Sequence, residues 1–295
     1  MSSTPIQAAT TTPASPASPS PGTRIVSCHR IDLRLPRPAD TDAWLSEQEQ
    51  ARAARFRFPH LQARYRSTRV ALRALLAERT GVAPDQIRFV RTPRGKPSLD
   101  PAHGSPLQFN LSHSGDSAWI AIGDQPLGID LEVLGRKNRL LEDLIERVST
   151  DAERQRLLQL PAHGDIRQLG FLLMWTRKES LLKGWGEGIG AETPLETLDT
   201  LLPSPEAILD FFDTPTARPE STDAPQIIAP PDSPLMRHLP PALILYPKAA
   251  ANPAEKPPLH ASSNRIDTDL VTVCAPEPFT VDWHLTPPAP FRHSV

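Results

Sequence analysis

Residues 127–133, Leu-Gly-Ile-Asp-Leu-Glu-Val, restrict the possible fold more than any other stretch of this chain. Side chains alternate across a strand, so Ile129, Leu131 and Val133 fall on one face and Gly128, Asp130 and Glu132 on the other. Burying the three apolar groups fixes the strand. It also makes both carboxylates point the same way, where like charges repel. A hard divalent cation reconciles them, since Mg²⁺ takes one or two carboxylates and completes its octahedron with water and substrate phosphate. Gly128 beside the pair leaves room for a ligand. A solvent-facing acidic edge strand is the other reading of the same residues.

A second stretch, Trp175 to Gly190, offers a partner for that acidic face. Its first part reads as the end of a helix beginning near Asp165, with Leu169, Leu172, Leu173, Leu181 and Leu182 toward the core. Trp175, Glu179 and Lys183 share one face at i, i+4 and i+8, with Lys178 beside it. The glycines at 184, 186, 188 and 190 stop the helix and let the backbone turn. An acid and two ammonium groups there suit a phosphorylated ligand. A solvated Glu–Lys pair worth a few tenths of a kcal/mol is the plainer alternative.

The preceding residues supply cations and polar donors. A strand is expected over Arg24–Leu35. Ser46 with Glu49 forms a capping-box signature, and a further helix runs over about 61–79 to Gly81. Residues 52–79 carry eight arginines against one acid, Glu78, a local excess able to bind phosphate. After a short strand at 87–90, the turn Thr92-Pro93-Arg94-Gly95-Lys96-Pro97 presents two cations, or is a plain hairpin loop. Asn110-Leu111-Ser112-His113-Ser114, at a strand end, offers donors to a phosphate or sugar. A buried strand is expected at 118–122 and an amphipathic helix over 140–148. Thr150 with Glu153 opens another helix, which Pro161 closes.

Proline locates the ordered core. Of 35 prolines, 5 lie in residues 1–22 and 19 in residues 201–295. The fold is therefore sought first between about 24 and 200, with 1–22 and 286–295 as tails and 203–268 irregular. Short strands are expected at 242–246, 270–274 and 280–284. The formal net charge of −2 provides no field drawing the protein to nucleic acid or anionic membrane. Two cysteines without a pairing pattern fit a reducing, cytoplasmic compartment. No apolar run is long enough to span a bilayer, and residues 1–22 lack a secretory signal's features.

Taken together, these pieces describe a metal-assisted site for a substrate with several phosphates. In order and wording they resemble the 4′-phosphopantetheinyl transferases, specifically the larger single-chain, surfactin-synthetase-activating group. The matching motifs are Gly95-Lys96-Pro97, Asn110 to Ser114, Gly128 to Glu132, and Trp175-Thr-Arg-Lys178-Glu179-Ser180 with Lys183. The resemblance implies an α+β fold of two similar halves (23–125 and 126–285, joined near 123–127) related by pseudo-twofold symmetry, with coenzyme A between them. No internal repeat is visible in the sequence itself.

The resemblance also implies transfer of the phosphopantetheine arm of coenzyme A to a serine of an acyl or peptidyl carrier protein, by a monomer. Asp130, Glu132 and Glu179 would hold Mg²⁺, and Glu179 would act as or position the base. Lys178 and Lys183 would contact the diphosphate. Arg69, Lys96, Ser112 and His113 would hold the adenosine phosphates and their surroundings. Trp185 and Ile189 are either a carrier-docking rim or core. A metal-dependent phosphodiesterase or nuclease, and a coenzyme A- or carrier-binding scaffold without turnover, are the competing classes.

Overall fold

The computed structural model describes residues 24–135, 137–162, 165–187, 193–213 and 259–285, with backbone alone at 236–238 and 242–244. The expected tails 1–22 and 286–295, Ile189, and Gly188 and Gly190 lie outside the described residues.

Strand β1 (Arg24–Asp32) leads to helix α1 (Glu47–Ala54). Ser46 caps α1 as its sequence predicts: its Oγ accepts the Glu49 N–H at 3.3 Å, and the Glu49 carboxylate accepts the Ser46 N–H at 3.0 Å. Such a cap stabilises a helix by about 0.5–2 kcal/mol. Helix α2 (Pro59–Thr80) begins on a proline, whose missing N–H would be unsatisfied there in any case, and ends on Gly81 in the left-handed conformation at φ 72°. Its buried face, including Val70, Leu72, Leu75 and Leu76, packs on Ile31, Phe109, Ile120 and Ile122. Each such side chain contributes about 1.5–3 kcal/mol on burial.

A hairpin of β2 (Phe89–Arg91) and β3 (Pro97–Leu99) precedes β4 (Gln108–Ser114), β5 (Ser117–Gly123) and β6 (Gly128–Val133). Helices α3 (Leu141–Val148), α4 (Asp151–Gln159), α5 (Ile166–Trp185) and α6 (Pro205–Asp213) follow. The last strands are β7 (Met236–His238), β8 (Ala242–Ile244), β9 (Leu259–Ile266), β10 (Asp269–Ala275) and β11 (Phe279–His284). Thr150 closes a second reciprocal cap with Glu153 at the start of α4.

Besides the β2-β3 hairpin, two larger sheets form among the described residues, in the orders β11-β1-β5-β4 and β6-β10-β9-β7, with β8 also on β9. The mixed α+β class is as expected. Two details differ from the sequence reading. Helix α6 and strand β9 occupy the interval expected to be irregular, because Pro205 sits in the first turn of its helix and β9 finds β10 as a partner. Strand β11 also pairs parallel with β1, so residues 279–284 complete the sheet of the opposite half.

Candidate active site

The site lies where the two sheets meet edge to edge. Strand β4 ends one sheet and β6 ends the other, and side chains join them. Alternation along β4 aims Asn110, Ser112 and Ser114 at β6. Asn110 Oδ1 accepts the Ile129 N–H at 3.0 Å. Ser112 Oγ donates to Asp130 Oδ1 at 2.9 Å, and Ser114 Oγ donates to Glu132 Oε2 at 3.3 Å. The Asn-x-Ser-x-Ser pattern therefore orients the two carboxylates of β6. Ser112 was expected among the groups around a bound nucleotide; here its hydroxyl is buried against Asp130 and Lys183.

Helix α5 closes the other side, lying directly on β6. A Cβ added at Gly128 would stand 2.0 Å from Ser180 O and 2.4 Å from Gly184 N. The glycine thus admits the backbone of α5, not a ligand, which corrects the sequence reading. Thr176 and Thr272 share a hydroxyl hydrogen bond at 3.0 Å, fixing the helix to β10 as well. Gly186, left-handed at φ 78°, ends the helix, whereas Gly184, expected to help stop it, lies inside α5.

This docking brings Glu179 and Lys183 to Asp130. Lys183 Nζ donates to Asp130 Oδ1 at 2.6 Å and to Ser112 Oγ at 3.1 Å. Asp130 is 4% exposed, and burial pushes its carboxyl above the usual range although Lys183 and Ser112 pull the other way. Glu179 is 8% exposed and is pushed up to about 7, first by burial and then by the charge of Asp130, with Glu132 adding to it. The three acids are therefore electrostatic neighbours.

A divalent cation suits this donor set. Asp130 Oδ2 and Glu179 Oε1 are buried without a hydrogen-bond partner, and buried carboxylate oxygens are costly unless a donor or cation meets them. Among the described residues, no three acidic, histidine or cysteine side chains already stand in a metal-binding group.

The other expected residues separate. On the opposite face of β4, His113 borders a cavity of about 1070 Å³ whose walls include Arg52, Arg64, Tyr65, Arg69 and Phe89. Burial, and then the charges of Lys183 and Arg64, hold the His113 imidazole below its usual pKa. Arg69 lines the cavity but is paired with Glu49 at 2.5 Å and lies over the Phe89 ring, 4.6 Å from its centroid. Arg64 pairs with Asp116. Lys96 spends its ammonium on backbone carbonyls of Leu127, Lys183 and Gly184. It does not face the cavity as a phosphate ligand.

Lys178 is the clearest correction. It is 0% exposed and pairs with the equally buried Glu153 at 2.7 Å, while also donating to Leu195 O and Leu198 O. One residue along a helix is a rotation of about 100°, enough to turn Lys178 into the interior while Glu179 faces the site. Trp175 packs on Phe171 and Trp185 against the core around Leu181, so Trp185 follows the core reading. Glu49, expected only as a helix cap, also turns part of the basic face of α2 into paired charge, while Arg52 and Arg64 of the arginine-rich stretch stand on the cavity wall.

Comparisons with known proteins agree along the chain. Residues 126–225 match the family model described as the 4′-phosphopantetheinyl transferase superfamily, and residues 39–124 match one described as 4′-phosphopantetheinyl transferase, N-terminal. The 4′-phosphopantetheinyl transferase HetI of Nostoc sp. is 41% identical over 171 residues, covering 57% of this chain and 71% of that protein. A putative 4′-phosphopantetheinyl transferase, slr0495 of Synechocystis sp., is 38% identical over 149 residues, covering 50% of this chain and 59% of that protein. The 4′-phosphopantetheinyl transferase AcpT of Salmonella typhi is 33% identical over 143 residues, covering 47% and 67%.

Proposed function

Since the chain belongs to the 4′-phosphopantetheinyl transferase superfamily, we propose that it transfers the 4′-phosphopantetheine arm of coenzyme A to a serine hydroxyl of an acyl or peptidyl carrier protein. The reaction releases adenosine 3′,5′-bisphosphate and needs Mg²⁺. The observation carrying this reading is the convergence of Asp130, Glu179 and Lys183 at the seam of the two sheets, with two carboxylate oxygens left for a cation.

Asp130 and Glu179, with Glu132 beside them, would hold Mg²⁺, which would supply positive charge to offset that of the substrate's diphosphate. Glu179 would act as, or position, the base that a neutral serine hydroxyl needs. The serine Oγ–phosphorus bond forms as the diphosphate P–O bond breaks, and the serine proton passes to that base. Lys183 sets an ammonium opposite the charge growing on the departing oxygen. Ser112 keeps Asp130 oriented. The cavity beside His113 offers room for the nucleotide portion of coenzyme A, with Arg52, Arg64 and Arg69 in its wall.

We read the two halves as a pseudo-twofold pair: each sets a long helix, α2 or α5, against an antiparallel set of strands. A cytoplasmic monomer with no nucleic-acid or membrane partner completes the proposal. Cys28 and Cys274 are both buried and unpaired, and among the described residues no helix is long and apolar enough to cross a membrane.

Purified protein incubated with coenzyme A, Mg²⁺ and a panel of apo carrier proteins, followed by mass spectrometry, tests the reading. A phosphopantetheine adduct on a carrier serine is expected. No adduct on any carrier would refute it.

A further inference from the structure

The turn joining β2 and β3 grips the end of a helix about ninety residues further along the chain. Lys96, whose own N–H donates to Thr92 Oγ1 at 3.1 Å, sends its ammonium to Lys183 O at 2.7 Å, Leu127 O at 2.8 Å and Gly184 O at 3.4 Å. An ammonium has three donors and no acceptor, so these carbonyls occupy its whole hydrogen-bonding capacity. Two of them belong to the last turn of α5, where carbonyls outnumber intrahelical donors and positive charge is favoured. The third belongs to the residue just before β6. The aliphatic stem runs past the helix stop, with Lys96 Cδ 3.6 Å from where a Gly186 Cβ would be. Arg94 of the same turn donates to buried Glu187 at 3.0 Å, just beyond the helix.

We infer that Lys96 is a positioning residue, fastening the end of the helix that bears Glu179 and Lys183 to the start of the strand that bears Asp130 and Glu132. It acts through the spacing of those two elements and does not contact coenzyme A. This rests on the transfer reading above. Without the ammonium, the last turn of α5 loses its anchor, and Lys183 stands on that turn. A displacement of about 1 Å at a reacting centre costs on the order of 10²-fold in rate.

The test compares wild-type protein with Lys96→Met and Lys96→Arg, using an apo carrier at saturation. In Lys96→Met, kcat is expected to fall by about 10- to 100-fold, the KM for coenzyme A to stay nearly unchanged, and the Mg²⁺ needed for half-activation to rise. Lys96→Arg is not expected to restore kcat, because a rigid planar fork does not converge three donors as an ammonium does. A raised KM at constant kcat, restored by arginine, would mean that the lysine holds phosphate and would overturn the inference. Amide hydrogen exchange supplies a readout independent of turnover: exchange at residues 183–186 should accelerate in Lys96→Met, and unchanged exchange there overturns the proposal. Should the methionine variant prove insoluble, Lys96→Gln takes its place with the same expectations. Wild-type protein inactive on every carrier would defeat the transfer reading, while the exchange data would still decide the role of Lys96.

Discussion

Replacing Lys178 by methionine separates the two lysines of the Trp175–Lys183 segment by their consequences. Lys178 and Glu153 are both 0% exposed and 2.7 Å apart. The Glu153 carboxylate also accepts the Thr150 N–H at 2.9 Å, the Thr200 N–H at 2.8 Å and the Thr200 hydroxyl at 2.6 Å. Methionine keeps most of the stem volume but removes the ammonium, leaving a buried carboxylate short of its counter-charge, the Leu198 carbonyl without the lysine donor, and the Leu195 carbonyl with only the Leu198 N–H. Breaking a buried pair from one side costs about 3–5 kcal/mol. At about 2–4 °C per kcal/mol for a domain of this size, the melting temperature should fall by roughly 6–20 °C. Circular dichroism melts and urea titrations measure this. Turnover assayed below the new midpoint should keep its KM for coenzyme A, because the ammonium does not reach the site. Adding Glu153→Gln should recover part of the loss, since no buried charge is then stranded. An unchanged midpoint together with a weakened KM for coenzyme A would refute the argument and return Lys178 to the cleft.

Four further outcomes are expected. Glu179→Gln should abolish most turnover while leaving coenzyme A affinity in calorimetry largely intact. In the metal-free protein the raised Glu179 carboxyl keeps a proton that the unfolded chain loses near 4.5, so its contribution to stability declines as pH rises through 4.5 to about 7. A divalent cation must displace that proton, so cation affinity should climb over the same window, and Glu179→Gln should flatten the climb. His29 stacks on His284, ring centroids 4.2 Å apart and 7° from parallel, and burial followed by the charge of His284 lowers its pKa to about 3. The unfolded chain takes up this proton near pH 6.5 and the folded chain does not, so stability should fall at up to ~1.4 kcal/mol per pH unit below about 6.5; His29→Phe should remove much of that slope in acid-unfolding curves. Gly128→Ala should force α5 off β6 and yield insoluble protein, or protein with a strongly lowered melting point, because the added carbon would meet backbone at 2.0 Å.

Local chemistry was legible where partners lie close in sequence. Both capping boxes, the alternation of β6 and the glycine stop of α5 rest on spacings of two to four residues, and each formed. The orientation of Asp130 followed from the alternation of β6, and the i, i+4 spacing of Glu179 and Lys183 set those two on one side of α5. The failures share one cause: the deciding partner lay far away. Nothing near Lys178 announced Glu153, and nothing near Lys96 announced the carbonyls of α5. Glu49 was visible only as a cap, yet its one carboxylate also takes Arg69 and Arg73. Proline density concealed α6 and β9, since proline at a helix start reads locally as a break.

Strand β11 carries a consequence for biosynthesis. Arg24 at the beginning of β1 meets Glu277 just before β11, 253 residues away. During translation one flank of β1 must wait, its peptide groups unpaired, until nearly all of the described chain has left the ribosome. Open strand flanks invite pairing with other chains. Deleting residues 279–284 would therefore leave Asp130 and Glu179 in place in the sequence, yet expose one flank of β1 for good.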